Sequence, residues 1–157
     1  MKTLKISTFI LLAACFVQAS RTSPDPTTFV ASTPCDMIPR TMLSIPANAD
    51  CEFIKWNLAL RRDPRNQNPT FYKLSYTYGM TQPGTTGFRN GGTSLTKEGN
   101  WISRKDATNK ETYQLNSNTP ETSLSFARLD DNLLHLLDPQ GRLMVGHAGW
   151  SYTLNRK

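Results

Sequence analysis

Phe71-Tyr72-Lys73-Leu74-Ser75-Tyr76-Thr77-Tyr78 sets Tyr72, Leu74, Tyr76 and Tyr78 on one side of an extended chain, and Lys73, Ser75 and Thr77 on the other. Successive side chains of a strand point to opposite faces, so this period of two is the pattern of a strand with one buried face. The preceding stretch repeats it. Between Glu52 and Arg61, the side chains of Ile54, Trp56, Leu58 and Leu60 share one face, and those of Lys55, Asn57 and Arg61 share the other. Cys51, Ile54 and Leu58 also fit helical spacing, but the four-member alternation is the better match.

Working outward, a Gly- and Thr-rich loop from Gly79 to Gly92 leads to a strand over Thr93 to Arg104. Leu95 and Trp101 lie on a common face there, and Gly99 marks a bulge or tight bend. Shorter strands are expected at Thr112 to Asn116, Ser123 to Leu129 and Leu133 to Asp138. Asp138-Pro139-Gln140-Gly141 has the Pro and Gly positions of a type I turn, and sends the chain into Arg142 to Val145 as a hairpin. Trp150, Tyr152 and Leu154 alternate in a final strand, Trp150 to Arg156, and Thr41 to Ile45 supplies the first. Eight or nine short strands with no helical pattern between them predict an all-β fold. Such an antiparallel meander removes its exposed edges by closing into a barrel.

The chain of 157 residues is long enough for one ordinary domain. At 38% hydrophobic and 19% charged residues, with a mean hydropathy of −0.47, it is neither an integral membrane protein nor a disordered one. The net charge is +6, but Lys2 and Lys5 belong to the extreme N-terminus and the remaining basic residues are interleaved with acids. No stripe suited to neutralising a phosphate backbone results, so no nucleic-acid partner is expected.

The basic start Met1-Lys2-Thr3-Leu4-Lys5 and the apolar run from Ile6 to Val17 form a segment too short to span a bilayer, which reads as an export signal. Two processing routes stand side by side. Val17-Gln18-Ala19 offers a site for signal peptidase, so that residues 1–19 are the signal peptide. Leu12-Ala13-Ala14-Cys15 resembles a bacterial lipobox, in which Cys15 is acylated and anchors the protein to a membrane through buried acyl chains. Residues 20–39, rich in Thr, Ser, Pro and Asp, read as a flexible tether, leaving 40–157 as the folded domain. Export implies an oxidising compartment, where Cys35 and Cys51 are candidates for a disulfide, with two buried free thiols as the other reading.

The order of segments resembles the N-terminal domain of the NlpE family, envelope lipoproteins named for copper resistance. The resemblance rests on Ile45-Pro46, Ala49-Asp50-Cys51-Glu52-Phe53-Ile54, the stretch Phe71 to Tyr78, Lys97-Glu98-Gly99-Asn100-Trp101, Leu133 to Gly141 and Tyr152-Thr153-Leu154. It implies a small lipocalin-like antiparallel β-barrel of about eight strands, tethered to the outer membrane or free in the periplasm. It also implies a part in envelope stress or surface sensing through a signalling partner, and in copper tolerance. Two departures accompany it. The family has a Cys-x-x-Cys before the long strand, whereas this chain has Asn48 and keeps only Cys51. No segment corresponds to the family's second, OB-like domain.

Cu(I) favours thiolate and thioether sulfur. Cys51, Met37, Met42, Met80, Met144, His135 and His147 are the candidate ligands, of which Met144 and His147 stand closest in sequence, so Cys51, Met144 and His147 form the candidate metal set. Met42 and Met144 also read as core, and His135 as a solvent-facing residue between Leu134 and Leu136. With Asn48 in place of a thiolate, copper binding by the oxidised protein is expected to be weak or absent, and no other cofactor is expected. Ser125 or Ser151 with His135, His147 and Asp138 could be nominated for hydrolysis, but no nucleophile-bearing turn surrounds them, so no catalytic residue is assigned. The Trp56, Tyr72, Tyr76 and Tyr78 stripe either fills the barrel or lines a pocket for a small apolar ligand. Two function classes follow: an envelope sensor acting through protein contacts, and a small binding barrel.

Overall fold

The computed structural model describes residues 25–105, 109–116, 123–147 and 149–157. Its eight strands are β1 (Thr27–Pro34), β2 (Phe53–Arg62), β3 (Pro69–Gly79), β4 (Thr93–Lys105), β5 (Glu111–Leu115), β6 (Leu124–Arg128), β7 (Leu133–Leu136) and β8 (Thr153–Arg156). Each pairs antiparallel with its neighbour in sequence, and β1 pairs with β8, Phe29 opposite Arg156, to close the barrel. The lead strands explain why. Ile54, Trp56, Leu58 and Leu60 of β2 stand opposite Tyr78, Tyr76, Leu74 and Tyr72 of β3, and all eight are buried. Burying a large apolar side chain contributes about 1.5–3 kcal/mol. A one-residue slip would turn this whole set to water, so the alternation fixes the register.

The long strand β4 serves two partners, pairing with β3 through Asn100 and with β5 from Trp101 onward. Gly99 lies just before that change, opposite Tyr72. The register runs through it without a bulge, and a Cβ there would sit 3.1 Å from the Tyr72 ring. The register shift falls instead on β2, between Leu60 and Arg62. Leu95 does not share the environment of Trp101: it is exposed, while Trp101 is fully buried.

Residues 27–39 are not a tether. Phe29 is buried, and Thr33, also inward, receives the indole Nε1–H of Trp56 at 2.8 Å. The inward row of β1 is thus partly polar, which hides it from a search for apolar alternation. Thr41 to Ile45 is not a strand either. Helix α1 (Met37–Leu43) occupies it and stops at Ser44, whose left-handed φ of 59° turns the chain while its N–H bonds back to Thr41 O. Pro39 is tolerated because N–H groups of a first helical turn have no helical partner. Asp36 to Ile45 is too short for helical periodicity to outweigh its β-like composition.

At the Asp138–Gly141 turn, Gly141 N–H bonds to Asp138 O at 2.9 Å. Asp138 accepts from the N–H groups of Gln140 and Arg142, each at 2.9 Å, and from Arg142 Nε at 2.8 Å. These bonds, the one from the Arg142 backbone foremost, hold its carboxyl below its ordinary value against the opposing effect of burial. Beyond the turn only a Leu137–Leu143 bridge forms, not a strand. The last strand starts at Thr153, and Trp150 leaves the alternation to stack outside the barrel on Phe53, ring centroids 4.2 Å apart. Gly146 permits this fold-back, since a Cβ there would lie 1.9 Å from Trp150 O. Among the described residues no helix is long and apolar enough to cross a membrane. The expected signal segment, Cys15 included, lies outside the described residues, as do tether positions 20–24.

Candidate functional site

The two ends of the barrel differ. One is plugged by α1, whose Met42 and Leu43 are buried. Tyr76 Oη donates to Leu43 O at 2.8 Å, and Lys97 Nζ, inward-facing on β4, donates to Met42 O at 3.3 Å. Burial pushes the Lys97 ammonium below its ordinary value and the Tyr76 and Tyr72 hydroxyls above theirs. Cys35 at the end of β1 and Cys51 ahead of β2 are joined as a disulfide, Cα atoms 5.8 Å apart, across the base of the loop that carries the plug. Tyr152 Oη donates to Asp36 just before α1, and burial together with that carboxylate raises its hydroxyl pKa strongly.

This arrangement places the expected ligand stripe. Trp56, Tyr72, Tyr76 and Tyr78 are all buried within the core cluster, and three of them carry a hydrogen bond: Trp56 to Thr33, Tyr76 to Leu43 O, and Tyr72 to Asn116 O at 3.4 Å. Their rings fill the barrel. Tyr78 alone of the four borders one of the described surface hollows, with Asp50, Arg89 and Asn90. The expected metal set is not brought together as a thiolate site. Cys51 has no free thiolate, Met144 is buried, and His147 is exposed in a bridge with Trp150. No cluster of three or more His, Cys, Asp or Glu side chains able to hold a metal occurs among the described residues. His135 faces outward but is not free: Nε2 bonds to Met144 O at 2.8 Å, so it carries the proton, and Nδ1 meets Thr153 Oγ1 at 2.9 Å.

The opposite end is an open mouth, formed where β1 begins and β2, β6 and β8 end. A cavity of about 280 Å³ lies within it, floored by Trp101, Leu60 and Phe29 and walled by charge. Arg62, the last residue of β2, lies over the Trp101 ring with Cζ 4.6 Å from its centroid, and Trp101 meets Tyr113 at 4.8 Å. Arg62 Nη1 donates to Gln67 O at 2.9 Å and Nη2 to Tyr113 Oη at 3.1 Å, so the guanidinium is fixed in place. Across the cavity Arg128 Nη1 donates to Glu111 Oε2 at 2.8 Å, and its Nη2 pairs with Asp131.

The electrostatics follow from these contacts. Burial raises the Glu111 carboxyl, but hydrogen bonds from Ser103 and Arg128 and the charges of Arg128 and Arg62 overcome it, and the pKa ends below the ordinary carboxylate value. Burial and the Glu111 charge raise the Tyr113 hydroxyl, against the two arginines. Tyr113 therefore stays protonated at neutral pH, with a hydroxyl able to donate into the cavity. Sequence reading missed this mouth. Glu111 and Arg128 have the same strand parity as the buried Tyr113 and Phe126, and a charged residue at inward parity at a strand end is the signal that was available.

Compared with known proteins, the chain matches no family model, no curated protein sequence and no solved structure.

Proposed function

We propose that the chain is an exported protein of the bacterial envelope that works by binding and contact rather than by catalysis, as an NlpE-like sensor of envelope stress or surface contact. The observation that carries this reading is the Cys35–Cys51 disulfide at the base of the plug. Structural disulfides persist where thiols oxidise, and the envelope of a bacterium is such a place. The filled core supports contact over storage of an apolar molecule, because the rings that could line an inner pocket are buried within the core cluster. Acylation at Cys15 would hold the protein at the outer membrane; cleavage after Ala19 would release it to the periplasm. Copper tolerance, on this reading, arises indirectly through envelope signalling, since both cysteines near the barrel are consumed.

Cell fractionation with mass spectrometry of the mature N-terminus tests the compartment. Deletion and overexpression strains carrying an envelope-stress reporter, challenged with copper, test the role. The reading predicts an envelope protein, oxidised at Cys35 and Cys51, whose level changes the reporter. A cytosolic protein with two reactive thiols, or a reporter indifferent to both strains, would overturn it. The second reading, a ligand-binding barrel, is favoured by the open mouth, whose arginine walls suit a polar ligand in place of an apolar one.

A further inference from the structure

We infer that the open mouth is a binding site for one small oxyanion group, a phosphate or a carboxylate. The inference deepens the binding-barrel reading and stands apart from the sensing role. The charges at the mouth do not cancel. Glu111 and Asp131 are both engaged by Arg128. Arg62 and Arg156 have no carboxylate within ion-pair distance among the described residues, yet both line the cavity. A guanidinium has five N–H donors in a planar fork. Arg62 uses two of them on Gln67 and Tyr113, which leaves three donors of the fork for an oxyanion.

Three further features fit an anion. Arg62 is held by the Trp101 and Tyr113 rings and by two hydrogen bonds, so little rotamer freedom remains to be lost when a ligand arrives. Tyr113 Oη accepts from Arg62 and keeps its own proton for donation. The cavity, at about 280 Å³, lies at the small end of ligand pockets, which suits one charged group with a short appendage.

The same chemistry has two sources, a free anion and a lipid headgroup. The second is relevant because β1 starts at this end, so the chain from the N-terminal segment enters the barrel beside the mouth. An acyl anchor at Cys15 would tether the barrel through the chain that enters at this end.

Titration of the full protein with inorganic phosphate at constant ionic strength, followed by the indole and guanidinium N–H resonances, tests the site. The expected result is a saturable shift of the Trp101 and Arg62 signals, absent with chloride. Affinity should fall about tenfold or more in Arg62→Gln, as expected for loss of a charge-assisted bidentate contact. Arg156→Gln, whose exposed side chain makes no hydrogen bond or ion pair among the described residues, should weaken binding about threefold and covers the case in which Arg62→Gln misfolds. Arg142→Gln, at the opposite end, should leave affinity unchanged. Sedimentation with vesicles of phosphatidylglycerol and phosphatidylcholine in equal parts separates the sources. Arg156-dependent sedimentation assigns the headgroup; saturable phosphate shifts without sedimentation assign a free anion. Linear shifts equal to those with chloride, or binding indifferent to Arg156→Gln, together with no sedimentation, overturn the inference whether or not the stress reporter responds.

Discussion

Removing the Cys35–Cys51 disulfide should lower the melting temperature by about 11 °C while leaving the barrel folded at room temperature. The bridge spans a sequence separation of 16. In the chain-entropy description, closing such a loop removes about 10 cal/mol/K from the unfolded ensemble, or about 3 kcal/mol at 25 °C. A folded body of about 130 residues has an unfolding entropy near 0.27 kcal/mol/K at the midpoint, which converts 3 kcal/mol into the stated shift. The barrel should survive because the plug has independent anchors: Met42 and Leu43 are buried, and Tyr76 and Lys97 hold their carbonyls. The perturbation is Cys35→Ser with Cys51→Ser, compared with wild type in thermal and urea unfolding, with and without reductant. Wild type in reductant should match the double variant. A midpoint that reduction leaves in place would refute the staple, and with it the argument for an oxidising compartment.

Other outcomes follow from single contacts. Gly92→Ala should destabilise by more than about 2 kcal/mol, because its φ is +72° and a Cβ would lie 2.7 Å from Tyr78 O, whereas Gly84→Ala, equally left-handed in open space, should cost about 1 kcal/mol; urea midpoints compare them. Glu111→Gln should cost about 1–2 kcal/mol at neutral pH through its lost charge-assisted bonds to Arg128 and Ser103. The folded Glu111 pKa lies below the ordinary 4.5, so its stabilisation is full above that value and fades as pH falls through the folded pKa. Denaturation curves of the two proteins should therefore converge in acid. Cu(I) titrated against a competing chelator should find no tight site in the oxidised protein, and any site that appears on reduction should be lost in Cys51→Ser.

The central strands were legible because their burial is one-sided and unbroken. From Ile54 to Leu60 and from Tyr72 to Tyr78 every second residue is buried, and the period of two survives reading without neighbours. The segments misread are those in which tertiary contacts replace that pattern. β1 carries Thr33 at an inward position because an indole across the sheet satisfies its hydroxyl. Helix α1 is too short for its own periodicity and exists because Met42 and Leu43 close the barrel. Trp150 continues an alternation in sequence but leaves it in space, because the fold-back at Gly146 carries it to Phe53.

The mouth was illegible for a related reason. A charged residue is ordinarily assigned to the solvent face, so Arg62, Glu111 and Arg128 read as surface. Parity contradicts that assignment, because Glu111 precedes Tyr113 and Leu115, and Arg128 follows Leu124 and Phe126, in inward rows. An inward charge at a strand end costs little if water reaches it and a partner meets it, and a mouth supplies both. Had closure of the mouth been the only demand, apolar side chains would have met it at lower desolvation cost, since a partly buried ion pair contributes little net stability. The chain instead sets two arginines there beyond the one its carboxylates engage, and one of the two is held over a tryptophan ring. Fixing a cation so firmly serves recognition more than stability. The apolar depth of the barrel holds the fold, and its last inward row is the place to look for what the protein binds.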